Sequence, residues 1–276
     1  MFKKILDVYR VLSLDVCIGV CCMSYYFSVL FKQRIEPVYF LIIFLAVFSI
    51  YSLDHIIDAF SIKKSASTIR HRFFQKNLIS MTAITMILIA FDIFLSIKFL
   101  STEIFEKGIM LSAVVLFYSL INFLSYRIRF KNYHKELIAG FIYAYGVMLP
   151  SLSTVTSSSF FIFIFFLQIF LIAYLNLIIF SFFDHGNDSS DGYSSIAILI
   201  GKTNTLRLIY ILSFAEIMIS VYTIMVIKTD LVVISIPLVM TLILLSIIYF
   251  RKFFSQNFRY RYAGDSIFFL PLMLLL

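Results

Sequence analysis

A chain of 276 residues in which 62% are hydrophobic and only 14% are charged is too apolar to fold as a water-soluble domain. Its net charge of +8 does not point to nucleic acid, because Lys and Arg sit between apolar runs and no basic run of five or more lies outside such a connection. The apolar runs are continuous Phe, Ile and Leu without period-two alternation, which excludes a transmembrane barrel and leaves helices.

A helix needs about 20 apolar residues to cross roughly 30 Å of hydrocarbon. By that rule the chain is an all-α integral membrane protein with eight full spans and a ninth partial one, a single transmembrane domain over residues 1–276. Met1 to Arg10 forms an interfacial lead-in to span one, 11–31, with no sign of a cleavable signal peptide. Cys17, Cys21 and Cys22 lie in that span without metal-ligand or disulfide spacing and read as packing residues. Span two covers 38–57 and is followed by a polar, basic connection, 61–77. Spans three and four cover 78–100 and 108–125, and a second basic connection follows, 126–136. No charge occurs between Glu136 and Asp184. That stretch makes a hairpin, spans 137–149 and 160–183, broken at Pro150 and the Ser/Thr cluster after it. Spans seven and eight cover 208–227 and 231–250. The final run, 266–276, is only about 16 Å long as a helix and does not cross by itself.

Counted on alternate sides of these spans, 18 of the 23 Lys and Arg residues fall on the side of the N-terminus. That asymmetry predicts a cytoplasmic N-terminus and cytoplasmic basic connections. Two copies of the pattern D-H-x-x-D fall on the same side, Asp54-His55-Asp58 at the end of span two and Asp184-His185-Asp188 at the end of span six. Residues four apart share one helix face, so each copy presents a carboxylate pair in one direction. Two such pairs facing each other repel unless cations lie between them, and oxygen-only ligation suits Mg²⁺. Asp191 is either a fifth ligand or a cap of the polar loop. An anion carrying several charges then fits between the metals and Arg70, Arg72, Lys131 and Lys135. Gly186, Gly192 and Gly201 fit tight turns beside it.

Set against this are plainer readings. The aspartates alone could be solvated helix ends or caps. All four histidines, His55, His71, His134 and His185, also lie on the cytoplasmic side, so a His/Asp iron or zinc site is a rival, although no HxxxH or HxxH occurs. Asp15, Asp92 and Glu216, inside spans and solitary, read as helix-to-helix hydrogen-bonding groups or as cavity lining.

The stretch Asp184, Asp188, Gly192, Ser195, Ile196, Gly201 resembles the second signature of the UbiA superfamily of intramembrane prenyltransferases, D-x-x-x-D-x-x-x-G-x-x-T-L with a glycine five residues on. Asp54 and Asp58 match the last two acids of the first signature, while Ile50 and Tyr51 stand where Asn and Asp are expected. The resemblance covers nearly the whole chain. It implies a bundle of nine transmembrane helices with a central cavity open to the cytoplasmic side, in a bacterial inner membrane. It also implies Mg²⁺ bridging Asp54, Asp58, Asp184 and Asp188 to a prenyl diphosphate, with Tyr126 and a lysine near the diphosphate. Loss of diphosphate leaves an allylic cation that an aromatic or other lipophilic acceptor attacks. The degenerate first signature admits a second reading, a non-catalytic member that binds an isoprenoid or lipid phosphate. Paired motifs in the two halves admit a third, a transporter.

Overall fold

The computed structural model describes residues 9, 11–61, 69–127, 134–152, 158–191, 195–227 and 229–275. Over these it is all-helical, as the continuous apolar runs predict. In chain order the helices are α1 (Leu14–Leu30), α2 (Pro37–Ser61), α3 (Ile69–Lys76), α4 (Leu78–Phe99), α5 (Thr102–Arg127), α6 (Lys135–Leu152), α7 (Ser159–Asp191), α8 (Ile196–Val226), α9 (Leu231–Tyr249), α10 (Arg251–Phe254) and α11 (Arg259–Ser266). A 3₁₀ segment, Ile267–Leu275, follows. Six of them, α2, α4, α5, α7, α8 and α9, are long and apolar enough to cross a membrane, and α1 is an apolar helix of 17 residues.

The bundle is built around α7, whose 33 residues extend roughly 50 Å. Phe165, Ile169, Ile172, Leu175 and Ile179 are fully buried at three- and four-residue steps, so one face of α7 is continuous core. Against it pack α6, α8, α9 and α11. Van der Waals fit, rather than exclusion of water, holds such a core together in lipid, and buried hydrogen bonds add direction. One such set spans α7 and α8: Gln168 Nε2 donates to Ser220 Oγ at 2.9 Å, and Ser220 donates to Glu216 Oε1 at 2.6 Å. Glu216 thus joins a buried hydrogen-bonded set that crosses to α7 through Ser220, in line with the first of its two readings. The cysteines are free; Cys17 and Cys22 are buried, and Cys21 Sγ lies 3.4 Å from the Phe40 carbonyl on α2.

Three features depart from the sequence reading. The basic connection after α2 contains a helix, α3, whose Phe74 is completely buried and meets the His55 ring edge-on at 5.2 Å. The acidic stretch after span six is not a loop down to Gly201. Helix α7 continues through Asp184, Gly186 and Asp188 to Asp191, so Gly186 sits in a helix rather than a tight turn. Helix α8 then begins at Ile196, well before the apolar run at 208, because backbone hydrogen bonding carries a helix beyond the hydrocarbon boundary into polar Lys202 and Asn204. Its register breaks once, at Gly201, whose φ of +76° suits only glycine. Asn204 Nδ2 and Thr205 Oγ1 donate to the carbonyls of Ile200 and Gly201 there, at 3.0 and 2.9 Å.

Helix α4 leans on α2, and α5 leans on α6, but α4 and α5 make no extended contact with each other although they are consecutive. Between α2 and these two helices lies a cavity of about 240 Å³ lined by Ile56, Ile57, Leu78, Thr82 and Phe123.

Candidate active site at the ends of helices α2 and α7

Asp184 and Asp188 are one turn apart on the last turns of α7, on the face that meets α6, α8 and α11. Asp184 is only 7% exposed. Its Oδ1 accepts a hydrogen bond from Tyr260 Oη, and its Oδ2 accepts one from Arg261 Nη2 at 2.6 Å, a charge-assisted pair. Burial raises the Tyr260 phenol further above its ordinary range, so at neutral pH it is a donor. Tyr260 also stacks on Phe183, ring centroids 4.5 Å apart and 12° from parallel. Gly264, one turn further along α11, fixes this docking: a Cβ there would overlap Asn176 Oδ1 and come within 2.6 Å of Phe180 Cε1. Only glycine lets α11 lie this close to α7.

Asp188 is half-buried beside Ser195 and feels Lys135, Asp184 and Arg261. Lys135 opens α6, and its carbonyl accepts from the Tyr118 hydroxyl at 3.2 Å. Next to it, Glu136 is 6% exposed and its Oε1 accepts the Ile196 backbone N–H at 3.1 Å, while the Ala197 N–H donates to Ser181 Oγ at 3.0 Å. These two bonds satisfy orphan donors at the start of α8. Tyr118, on α5, lies within electrostatic reach of Asp54 and of Glu136. The Asp54 side chain is 57% exposed and 4.0 Å from His55 Nδ1. His55 itself is buried, with Nε2 3.2 Å from Ser13 Oγ, in keeping with a supporting rather than a ligating group.

The structure thus brings Asp184, Asp188 and Lys135 near one another, while Asp54 lies at the end of α2 within electrostatic reach of Tyr118. Arg72 is exposed. Lys131 and Gly192 lie outside the described residues, as do the side chains of Asp58, Arg70, Tyr126 and Asp191. Among the described residues no three His, Cys, Asp or Glu side chains form a metal-binding cluster. Sequence reasoning missed Tyr260, Arg261 and Glu136. Nothing in the R-Y-R-Y run of 259–262 distinguishes Arg261 from Arg259.

Burial, chiefly, raises the Glu136 carboxyl from its ordinary value of 4.5. An acid raised in the folded state holds its proton longer there than in the unfolded chain, so ionising it opposes folding. Its contribution is most favourable below the ordinary value and is lost as pH rises through the folded one. Glu136→Gln, which keeps the acceptor for Ile196, is expected to gain thermal stability relative to the wild type as pH is raised from about 4.5 to about 7.5. Parallel melting curves at all pH values would contradict this.

The same helical arrangement occurs in solved structures. An apo UbiA homologue from Aeropyrum pernix K1 superposes with a TM-score of 0.63 at 13% identity, over 95% of this chain and 98% of that one. A UbiA homologue from Archaeoglobus fulgidus bound to GPP and Mg²⁺ does so with 0.63 at 12% identity, over 97% and 99%. The chain has the UbiA fold. A digeranylgeranylglyceryl phosphate synthase shares the UbiA fold too, with a TM-score of 0.59 at 15% identity over 100% of this chain and 95% of that one. No family model matches the sequence, and no curated protein matches it either. The UbiA fold is thus visible through the backbone at identities where sequence comparison is silent.

Proposed function

We propose that this chain is a membrane prenyltransferase of the UbiA superfamily, which moves an isoprenyl group from a prenyl diphosphate to an aromatic or other lipophilic acceptor. The observation that carries the reading is the pair Asp184 and Asp188, one turn apart at the end of α7 with Lys135 and Arg261 around them, in a fold that two Archaeoglobus structures share with GPP or DMAPP and Mg²⁺ bound. The donor set is all oxygen, which fits Mg²⁺ held by Asp54, Asp58, Asp184 and Asp188, with Asp191 as a further candidate. Mg²⁺ bound there supplies Lewis-acid neutralisation of the diphosphate.

The protein's own groups do the rest. Lys135 and Arg261, with Arg70, Arg72, Lys131 and Tyr126 as further candidates from the flanking segments, oppose the negative charge that builds on the leaving diphosphate. The apolar pocket lined by Ile56, Ile57, Leu78, Thr82 and Phe123, near the end of α2, supports a berth for the isoprenyl chain. The cation asymmetry supports placing this site, and the N-terminus, on the cytoplasmic side of the membrane.

The test is consumption of geranyl or farnesyl diphosphate by purified protein in lipid with a panel of aromatic acceptors. Turnover is expected with Mg²⁺ and is lost when EDTA removes the metal and restored on its return. A second reading, binding of an isoprenoid or lipid phosphate without transfer, is favoured by Ile50 and Tyr51 in place of an amide and an acid. Saturable binding of the diphosphate with no product from any acceptor selects it.

A further inference from the structure

Helix α9 has 19 residues and rises roughly 28 Å, close to the thickness of the hydrocarbon layer, which puts its last residue, Tyr249, at the level of the lipid headgroups. The chain does not turn back at once; α10 and a 3₁₀ turn, Gln256–Phe258, come before α11 docks on α7. Large aromatic side chains of this segment face outward. Tyr249 is 78% exposed, and Phe250, Phe253, Phe258 and Tyr262 are about half exposed. Cations lie between them: Arg251 and Lys252 are exposed, and the half-buried Arg259 has its guanidinium carbon 4.3 Å from the centre of the Phe253 ring. No acid occurs between Asp230 and Asp265, and among the described residues none of these three cations is paired with a carboxylate. Arg261 differs, being held by Asp184 at 2.6 Å. Asn257 and Phe258 both have positive φ, 51° and 58°. That conformation is unfavourable for residues with a Cβ, and it reverses the chain so that the Phe258 ring stays outside the bundle.

We propose that the segment Tyr249–Tyr262 is a surface that binds the headgroup phosphate of an anionic phospholipid. Aromatic rings suit the boundary between acyl chains and headgroups, and cations without partner acids suit a lipid phosphate, which an arginine grips through two parallel N–H bonds. Each Lys or Arg held at an anionic surface strengthens association about fivefold. Three of them therefore separate an anionic lipid from a zwitterionic one, whose phosphate is already neutralised by its own ammonium. A soluble phosphate would use the cations and leave five outward rings without a partner, whereas a lipid engages both. The segment leads directly into Tyr260 and Arg261, so a lipid seated there steadies the two residues that hold Asp184. This binding does not depend on prenyl transfer.

The chain contains no Trp, so one introduced indole is the sole reporter. Full-length Tyr249→Trp is reconstituted in phosphatidylcholine and titrated with brominated phosphatidylglycerol or, separately, brominated phosphatidylcholine, and the quenching of its fluorescence is read. Elution as a single species on gel filtration is the criterion of folding, and Phe250→Trp takes its place if Tyr249→Trp does not meet it. Brominated phosphatidylglycerol is expected to quench at about a fivefold lower mole fraction than brominated phosphatidylcholine. Adding Arg251→Gln and Lys252→Gln is expected to abolish the preference, and Met218→Trp, exposed towards the far end of α8, is expected to show none. Equal quenching by the two lipids at Tyr249→Trp overturns the proposal, as does a preference that survives both Gln substitutions in folded protein. Relief of the quenching by inorganic diphosphate at constant ionic strength reveals a site for a soluble anion and overturns it as well.

Discussion

Asp188→Asn is expected to lower prenyl transfer by a factor on the order of 10² to 10³, the usual cost of removing one group that stabilises charge in the transition state, without moving the thermal midpoint. Asp188 is only half-buried at a helix end, where solvent screens its charge, so its replacement costs less stability than that of the buried Asp184. Asp184→Asn is expected to lose activity to a similar degree and, in addition, to lose about 1–3 kcal/mol of stability, because it removes the acceptor charge from a hydrogen bond to a guanidinium. The amide also turns a donor group toward Arg261 or Tyr260, both of which are donors already. Turnover assays and melting curves on the same preparations separate the two effects. Equal stability of the two variants would show that Arg261 does not hold α11 against α7.

Gly264→Leu is expected to be the most damaging single change outside the aspartates. The added side chain overlaps Asn176 Oδ1 and the Phe180 ring, both on the rigid central helix, so α11 must lift away and take Tyr260 and Arg261 with it. Overpacking of this kind costs about 1–3 kcal/mol, and transfer activity is expected to fall in parallel. The milder Gly264→Ala allows a cycle with Asn176→Ala. The Asn176 Oδ1 is buried without a hydrogen-bond partner, so trimming it sacrifices little. The double variant is expected to be more stable than Gly264→Ala alone, and a coupling indistinguishable from zero would place the strain elsewhere.

Much of this architecture was legible because hydrocarbon imposes one period and one length on every segment it surrounds. The runs at 38–57, 78–100, 160–183 and 231–250 fall within α2, α4, α7 and α9 with ends moved by only a few residues, apart from the extensions of α2 and α7 past their acids. Where the solvent changes, that rule stops. The polar turns Ile69–Lys76 and Lys202–Arg207 are helical because their backbone bonds and packing favour it, and an apolarity count does not detect this. The acids announced themselves as charges at the mouths of apolar runs. Tyr260 and Arg261 did not, since their role comes from the fold bringing positions 76 and 77 residues away back to Asp184. The same holds for Glu136, which accepts the Ile196 N–H from 60 residues upstream.

The lack of extended contact between α4 and α5 has a mechanical consequence. Both helices turn large side chains outward, among them Met86, Ile87 and Ile97 on one and Met110, Leu116 and Phe117 on the other. Each is held through a different helix, α4 through α2 and α5 chiefly through α6, so the distance between them is set at second hand, and a shift of α2 against α6 is passed on to it.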